Sequence, residues 1–211
     1  VKCEEGQMRL TGLDGHRIAI RALEVQTEEM ELNLPGIPLK EIAKLLNNEE
    51  QKVDLCVTEH LACFLMPDVW ASMRLVDGKY FDISAFLQDK TNRKIRIDKT
   101  QLKDSVSRAL LLLADKVQKP LVVQVAENKV TLEAATTAGE MSESINAVTE
   151  GESEPLRIGY NPRYLMEILQ AIEDETIDLS LGGAKDPCLI KGMDYLYVLL
   201  PVSLGKTEAA L

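Results

Sequence analysis

The chain has 211 residues and a net charge of −10, with 45% apolar and 27% charged residues. This composition excludes a mainly disordered chain and predicts a packed fold, with two small domains favoured over one large domain. The negative charge argues against a protein that grips nucleic acid by charge alone, but it does not exclude a local basic face.

Neither a membrane span nor a signal peptide is predicted. No window reaches about 18 consecutive apolar residues, and the opening VKCEEGQMRL has neither a basic start nor an apolar run. A cytoplasmic protein without a membrane partner is therefore expected. Cys3, Cys56, Cys63 and Cys188 show no CxxC pair and no metal-ligand spacing with a histidine. We expect reduced, mostly buried thiols and no metal site.

The first predicted elements form a hairpin. Residues 7–13 and 16–24 each alternate apolar and polar side chains, and Asp14 and Gly15 lie between them. An Asp-Gly pair between two alternating runs is typical of a two-residue hairpin turn. The stretch LTGLDGHRIAIR is therefore interpreted as a turn between two strands.

A short amphipathic helix is predicted at residues 38–48, with Ile42, Leu45 and Leu46 on one face. Strand-like runs come next, and an Asp-Gly pair ends the last of them. These runs cover residues 52–58, 60–66 and 70–76. The first half of the chain is therefore predicted to be a helix on an antiparallel sheet.

The sequence becomes polar at residues 88–94, and we place the domain boundary there, between domains 1–90 and 91–211. Residues 99–114 then predict a helix with one apolar stripe. The stripe comprises Leu102, Val106, Ala109, Leu110 and Leu113. Leu111 points roughly opposite this stripe and Leu112 lies to one side. Leu111 is either an isolated exposed leucine or part of a subunit contact.

The rest of the second half alternates strands and a helix. A hairpin is predicted at 120–134, followed at 136–155 by solvated, mobile turns around a short strand at 145–148. Asn161 and Pro162 predict the N-cap and first position of a helix that ends near Ile172. Closing strands are predicted at 176–182, 187–192 and 195–202. We interpret the whole as a repeated α+β unit.

Motifs for enzyme chemistry are missing from the sequence. LGGAKDP lacks the spacing of a phosphate-binding loop, and no GxSxG accompanies His16 or His60. No cofactor is expected. A small α+β enzyme or ligand-binding regulatory protein that uses the His16 turn stays as an alternative, and it predicts a buried, titrating His16.

Six segments carry a family resemblance: TGLDGHRIAI, IPLKEIAKLL, LVDGKYFD, SRALLLLADK, IGYNPRYLMEIL and YVLLPVSL. Their order and rough spacing resemble the bacterial sliding clamp, the DNA polymerase III beta subunit, up to about Leu204. The resemblance implies a DNA clamp fold and a replication processivity factor without catalytic activity. Two subunits of three similar domains would form a ring around duplex DNA. This chain would begin inside the middle domain, with 91–211 as the C-terminal domain, and such a piece is not expected to close a ring.

The resemblance also implies partners. These are duplex DNA, without sequence preference, and the replicative polymerase, the clamp loader and repair proteins, which insert short peptides into a groove between the middle and C-terminal domains. The positions that match the groove are Gly15, His16, Arg17, Ile18, Phe81, Ala85, Phe86, Val117, Asn161, Tyr164, Val198, Leu200, Pro201, Val202, Ser203 and Leu204. Phe81 stands where proline is usual and Ala85 where arginine is frequent, so the groove is expected to be more apolar than in many clamps.

Two further surfaces follow from the same resemblance. The residues that would face DNA are Lys40, Lys44, Lys103, Arg108 and Arg163. For each of them the alternative is an ordinary exposed cation without a role in DNA binding. The subunit interface would run through Leu111 and Leu112, and periodicity separately marks Leu111 as misplaced. A closed ring needs only weak contacts with DNA, because a protein that encircles the duplex cannot dissociate sideways from it.

Overall fold

The structure is a computed structural model that describes residues 1–46, 52–78, 83, 91–113 and 119–204. The chain divides into two compact units. Unit 1 comprises Val1–Gly12 and Arg21–Ile83, and unit 2 comprises Leu13–Ile20 and Ser84–Leu211. The tip of the first hairpin therefore belongs to unit 2, although it interrupts unit 1 in the sequence.

The elements of the first half are short strands and one helix. In chain order they are β1 (Lys2–Glu4), β2 (Gln7–Leu13), β3 (Arg17–Glu24), β4 (Met30–Glu31), α1 (Gly36–Ala43), β5 (Asp54–Val57), β6 (Leu61–Leu65) and β7 (Trp70–Arg74). In unit 1, β1 pairs antiparallel with β2 and with β4. A separate antiparallel sheet has the order β5-β6-β7. Strands β1 and β4 were not predicted from the sequence.

The predicted hairpin turn is confirmed, but its two central residues are Gly15 and His16 rather than Asp14 and Gly15, because the N–H of Asp14 donates to the carbonyl of Arg17 at 3.4 Å. Gly15 has a φ of 85°, which glycine adopts without steric cost. The Asp14 carboxylate accepts hydrogen bonds from the backbone N–H groups of His16 at 3.0 Å and Arg17 at 3.1 Å. Side-chain acceptance of turn amides explains why aspartate suits this position.

The helix predicted at 38–48 is shorter and begins earlier, because α1 covers only Gly36–Ala43. Beyond it, the N–H of Leu45 bonds to the carbonyl of Ile42 and the N–H of Leu46 to that of Ala43. Such three-residue spacing tightens the last turn and ends the helix. The prediction that Leu45 and Leu46 share an apolar helix face with Ile42 is therefore wrong, and both leucines are exposed.

The elements of the second half all belong to unit 2. In chain order they are β8 (Arg93–Asp98), α2 (Lys99–Leu113), β9 (Leu121–Ala126), β10 (Lys129–Thr136), β11 (Gly139–Gly151), β12 (Leu156–Tyr160), α3 (Pro162–Ala171), β13 (Thr176–Leu181), β14 (Cys188–Lys191) and β15 (Tyr195–Leu199). These strands follow one another in the order β12-β9-β10-β11-β8-β13-β14-β15. Each pair of neighbouring strands in this order is antiparallel.

Strand β8 was not predicted, because the polar stretch 88–94, which overlaps its first two residues, indicates a domain boundary. Ile95 and Ile97 are almost fully buried, whereas Lys94 and Arg96, which alternate with them, are exposed. Arg96 forms a two-bond ion pair with Asp178 of the neighbouring strand at 2.7 and 2.8 Å. Of the polar residues that suggested a boundary, only Arg93 and Lys94 belong to β8, where Lys94 is exposed and Arg93 is buried.

The segment 136–155 was predicted to be mobile turns around a short strand, and this prediction is wrong. Strand β11 runs for 13 residues, from Gly139 to Gly151. Its first part pairs with β10 and its last part with β8. Its glutamates lie mostly on the exposed side of an alternating pattern, so a row of acids does not prevent strand formation.

Helices α2 and α3 pack on the sheet and complete the core of unit 2. The predicted stripe of α2 is confirmed, since Leu102, Val106 and Ala109 are at most 2% exposed. The predicted cap of α3 is also confirmed, because the Asn161 side chain accepts the N–H of Arg163 at 3.0 Å. At the other end of α3, the ammonium of Lys99 donates to the carbonyl of Ile172 at 2.9 Å, satisfying an orphan helix carbonyl.

All four cysteines are free, but the prediction that most of them are buried is wrong. Cys3 and Cys188 are buried, Cys63 is half-buried and Cys56 is exposed. Burial raises the pKa of the Cys188 thiol to about 12. The exposed and half-buried thiols lie on β5 and β6 of unit 1.

Strand β8 can be tested through its core face. We expect Ile97→Ala to lower the free energy of unfolding of unit 2 by about 2–5 kcal/mol, because a buried isoleucine leaves a cavity. The matched control is Val148→Ala in β11, where the side chain is 59% exposed and the change should stay within about 0.5 kcal/mol. Urea unfolding followed by circular dichroism measures both, and equal effects would contradict the assignment of Ile97 to the core.

Candidate functional site

In unit 2 the tip of the β2–β3 hairpin lies against Tyr164 of α3. The His16 ring stacks on the Tyr164 ring, with 5.7 Å between centroids and 25° between planes. The Arg17 guanidinium carbon lies 4.4 Å from the centroid of the same ring. This distance lies within the range of a cation–π interaction. Tyr164 is thus held by an imidazole and a guanidinium from one turn.

Two carboxylates orient Arg17. Its Nε donates to Asp14 at 2.8 Å and its Nη1 lies 2.7 Å from a carboxylate oxygen of Glu167. Glu167 follows Tyr164 by three residues on α3, so both side chains lie on one face of the helix. The Glu167 side chain is 58% exposed, so this ion pair adds little stability and mainly fixes direction.

The same network changes two pKa values. Burial by itself would raise the pKa of Asp14, but hydrogen bonds from the Arg17 side chain and the His16 backbone outweigh it and lower the pKa below 3.8. Burial would likewise lower the pKa of Arg17, and its hydrogen bonds to Asp14 and Glu167 raise it instead. Both groups are therefore charged near neutral pH.

The segment that follows β15 is fixed by two backbone hydrogen bonds. The N–H of Leu200 donates to the carbonyl of His16 at 2.9 Å, and the N–H of Val202 donates to the carbonyl of Gly159 at 2.8 Å. A Cβ on Gly159 would lie 2.7 Å from a methyl carbon of Leu204 and 2.8 Å from the Val202 carbonyl oxygen. Only glycine at position 159 leaves room for this segment.

A cavity of about 400 Å³ opens beside Tyr164. Apolar and polar side chains both line it. Such a lining suits a ligand that packs against an apolar surface and forms a few oriented hydrogen bonds. The lining residues are Leu110, Leu113, Lys119, Pro120, Asn161, Pro162, Arg163, Tyr164, Glu167 and Val202. All of them belong to unit 2.

The structure brings together many of the residues that the resemblance assigns to the groove. Asn161, Tyr164 and Val202 line the cavity, and Gly15, His16 and Arg17 form the adjoining turn. Ile18 and Val198 are buried, whereas Leu200, Pro201, Ser203 and Leu204 keep some exposure. Phe81, Ala85, Phe86 and Val117 lie outside the described residues.

Sequence reasoning missed Gly159, Lys119 and Pro120. A glycine inside a strand often marks the close approach of another backbone, and Gly159 lies within β12. That signal was available in the sequence, but the strand that contains it was not recognised. Lys119 and Pro120 carry no comparable signal, because only the folded chain places them beside Tyr164.

The cations assigned to the DNA-facing surface differ in their partners. Arg108 forms two hydrogen bonds of 2.6 Å with Glu143, and Lys44 lies 2.7 Å from Glu41. Within the described residues, Lys40, Lys103 and Arg163 form no ion pair. Arg163 also lines the cavity beside Tyr164.

The leucines assigned to a subunit interface also differ. Leu111 is 80% exposed, as its position opposite the apolar stripe predicts. Leu112 is half-buried and packs against the core of unit 2. Leu111 is therefore the apolar side chain of α2 that the fold leaves uncovered.

The alternative of an enzyme built on the His16 turn required a buried histidine, and His16 is exposed. In the described ranges, no group of three or more His, Cys, Asp or Glu side chains is arranged to hold a metal ion. None of the described helices has the length and apolar character needed to cross a membrane.

Two family models together match nearly the whole chain. Residues 1–82 match the central domain of the DNA polymerase III beta subunit, and residues 85–202 match its C-terminal domain. The chain belongs to the DNA polymerase III beta subunit family, the bacterial sliding clamps.

Curated relatives and solved structures agree with this assignment. The beta sliding clamp of Bacillus subtilis is 27% identical over 90% of this chain and 51% of its own length, and that of Halalkalibacterium halodurans is 27% identical over 94% and 55%. A crystal structure of a putative DNA polymerase III beta subunit from Eubacterium rectale has a TM-score of 0.90 at 30% identity, covering 95% of this chain and 55% of that one. The sliding clamp of Bacillus subtilis has a TM-score of 0.89 at 27% identity, covering 97% and 56%. The expected DNA clamp fold is confirmed, and the chain spans about half the length of these relatives.

The Arg17 network predicts a specific titration. We expect Arg17→Gln to raise the pKa of Asp14 toward its ordinary 3.8, because the side-chain hydrogen bond and the positive charge are lost. In the unchanged chain the lowered pKa means that the ionised Asp14 stabilises the fold above its unfolded-state pKa. This stabilisation is lost as the pH falls through the lower folded-state value.

Carbon-13 NMR of the Asp14 carboxyl group measures this change. The matched control is Arg96→Gln, which should raise the pKa of Asp178 and leave that of Asp14 in place, since Arg96 lowers the pKa of Asp178 by the same kind of hydrogen bond. An Asp14 titration that is identical in the Arg17→Gln variant and the unchanged chain would refute the network.

Proposed function

We propose that this chain is part of a replication processivity factor, a sliding clamp that encircles duplex DNA and tethers the replicative polymerase and other partners. The observation that carries the proposal is the cavity beside Tyr164, formed in unit 2 of a chain that belongs to the beta subunit family. Its walls offer apolar surface together with an amide at Asn161 and charges at Arg163 and Glu167. Such a lining suits an extended peptide of apolar and aromatic residues with one glutamine.

The remaining assignments of the resemblance belong to the same proposal. Residues 1–90 would be most of a middle domain and 91–211 a C-terminal domain. The two family matches support a division into two domains, although they change between residues 82 and 85 rather than at 90. The protein would be a non-catalytic accessory subunit in the cytoplasm. Its partners would be DNA, the polymerase, the clamp loader and repair proteins.

Charge on the helices supports only weak contact with DNA. Lys40, Lys103 and Arg163 are the proposed phosphate contacts, because no carboxylate pairs with them in the described part of the chain. Arg108 and Lys44 already neutralise glutamates, so they contribute less. With a net charge of −10, the chain would depend on a closed ring to stay on DNA.

Peptide binding is the first test. We expect a fluorescein-labelled peptide with one glutamine and a run of leucine and phenylalanine to bind this chain with micromolar affinity. Tyr164→Ala should weaken binding at least about fivefold, since truncating a tyrosine that anchors an interface costs more than about 1 kcal/mol. Leu200→Ala should act in the same direction. Fluorescence anisotropy measures the dissociation constants.

The control variant for peptide binding is Met193→Ala. Met193 is fully exposed and lies between β14 and β15, so its removal should leave both the fold and the affinity unchanged. Equal affinities for the Tyr164→Ala variant and the unchanged chain would contradict the placement of the groove. Absence of binding at hundreds of micromolar by the folded chain would contradict the proposed function itself.

Ring formation is the second test, and it uses the complete gene product. We expect a dimer that Leu111→Arg converts to monomer, because the exposed leucine would lie in the subunit contact and a buried unpaired charge is costly. Light scattering coupled to size exclusion measures the mass. Met193→Arg is the matched control, since it adds the same charge at another exposed site. A dimer that survives Leu111→Arg would remove Leu111 from the interface.

A further inference from the structure

Two cysteines face each other across the small sheet of unit 1. Cys56 of β5 and Cys63 of β6 are register partners in the antiparallel pairing. Cys56 is exposed and Cys63 is half-buried, and both thiols are free. The same register places Ser72 of β7 on the other side of Cys63. Neither cysteine belongs to the proposed groove, DNA surface or subunit interface.

The register sets the spacing of this pair. The N–H of Thr58 bonds to the carbonyl of Leu61 at 2.9 Å next to the hairpin turn. Hydrogen-bonded and non-hydrogen-bonded pairs alternate along antiparallel strands, so Cys56 and Cys63, two residues further on, form a hydrogen-bonded pair. Cα atoms in such pairs lie about 5.5 Å apart, and disulfides most often span about 5.5–6 Å.

Both side chains also lie on one face of the sheet, since directly opposed residues point the same way. In a hydrogen-bonded pair their Cβ atoms are expected near the upper end of about 4.5–5.5 Å, which is about 1 Å or more beyond the about 3.5–4.5 Å of a disulfide. β5 must therefore move toward β6 to close the bond, and the disulfide is strained. β5 is at the edge of the sheet order β5-β6-β7, with β6 as its partner there, so the movement disturbs little else.

We propose that Cys56 and Cys63 form a reversible disulfide, a modification site that fastens β5 to β6. With glutathione disulfide as the oxidant, one cysteine thiolate attacks a glutathione sulfur, which breaks the glutathione S–S bond and releases one glutathione thiolate. The second cysteine then attacks the mixed disulfide and displaces the other glutathione. The protein loses two electrons and two protons, which end on the two glutathione thiols.

The exposure of Cys56 and the movement that β5 must make determine how easily the disulfide is reduced. Exposed or strained disulfides have higher reduction potentials than buried structural ones, so they form and break with the thiol balance around the protein. In a reducing compartment this disulfide is transient, and it accumulates when glutathione becomes oxidised. Its effect is local, because it locks the register of an edge strand.

Peptide mapping of the folded chain tests the proposal. The chain is incubated with glutathione disulfide, alkylated, denatured, and digested with trypsin and a glutamate-specific protease. Cleavage after Lys52, Glu59 and Arg74 separates the two cysteines into different peptides. We expect these peptides to be joined in most of the monomeric chains, with the loss of two hydrogen atoms, and to separate after reduction.

The controls distinguish this disulfide from other products. Cys56→Ser and Cys63→Ser should each give no joined peptide and keep one glutathione adduct. The double change Cys56→Ser with Val57→Cys moves the thiol to the opposite face of β5, so the folded sheet should prevent linkage to Cys63 although the sequence separation is almost unchanged.

Several results would overturn the proposal. Unlinked glutathione adducts at both cysteines, or joined peptides found only in disulfide-linked dimers, would show that the pair does not close. Linkage that is equal in the Val57→Cys control, or that is accompanied by alkylation of the buried Cys3 and Cys188, would show that the bond forms in an opened chain.

Discussion

The candidate site depends on the two backbone hydrogen bonds that hold the segment after β15. One ties Leu200 to the hairpin tip at His16, and the other ties Val202 to β12 at Gly159. Ordering the backbone of a segment outside regular secondary structure costs about 1–2 kcal/mol of conformational entropy for each residue. Two hydrogen bonds and the apolar contacts of Leu204 against Gly159 offset part of that cost. Without them the wall that Val202 contributes to the cavity would have no defined position.

Electrostatics in this site provides orientation more than stability. Arg17 contacts two carboxylates and one aromatic ring, and each of these contacts alone is modest at a partly exposed position. Together they leave the guanidinium little freedom, so the plane of Tyr164 is set by a side chain that is itself fixed. A lysine could not replace it, since one ammonium cannot reproduce the planar two-sided geometry.

The charge balance is consistent with a protein that stays on DNA by enclosing it. An acidic chain gains little from phosphate contacts, and its helix cations are partly used in ion pairs with Glu41 and Glu143. Weak contacts allow sliding, whereas strong ones would stop it. On the proposed function, the helices need no strong contact with DNA, and affinity for partner proteins is concentrated in the cavity beside Tyr164.

Local signals predicted a large part of the fold. The first hairpin turn, the Asn161 cap and the apolar stripe of α2 depend on neighbours within a few residues, so the sequence alone was enough to identify them. The errors have a common cause. Strand β8 and the long β11 have polar residues on their outer faces, and they are stabilised by pairing with strands distant in the chain. A pattern within a short window cannot show such pairing.

The features of the candidate site also divide into those that the sequence predicts and those that depend on the folded structure. The sequence by itself determined the family, the hairpin turn and the exposed Leu111, because these depend on residue order and on the periodicity of single elements. Only the tertiary structure decided that Arg17 would contact Tyr164 and Glu167, that Gly159 would admit the segment after β15, and that Cys56 would oppose Cys63. These contacts join different elements, and their geometry exists only after the strands have paired and the helices have packed.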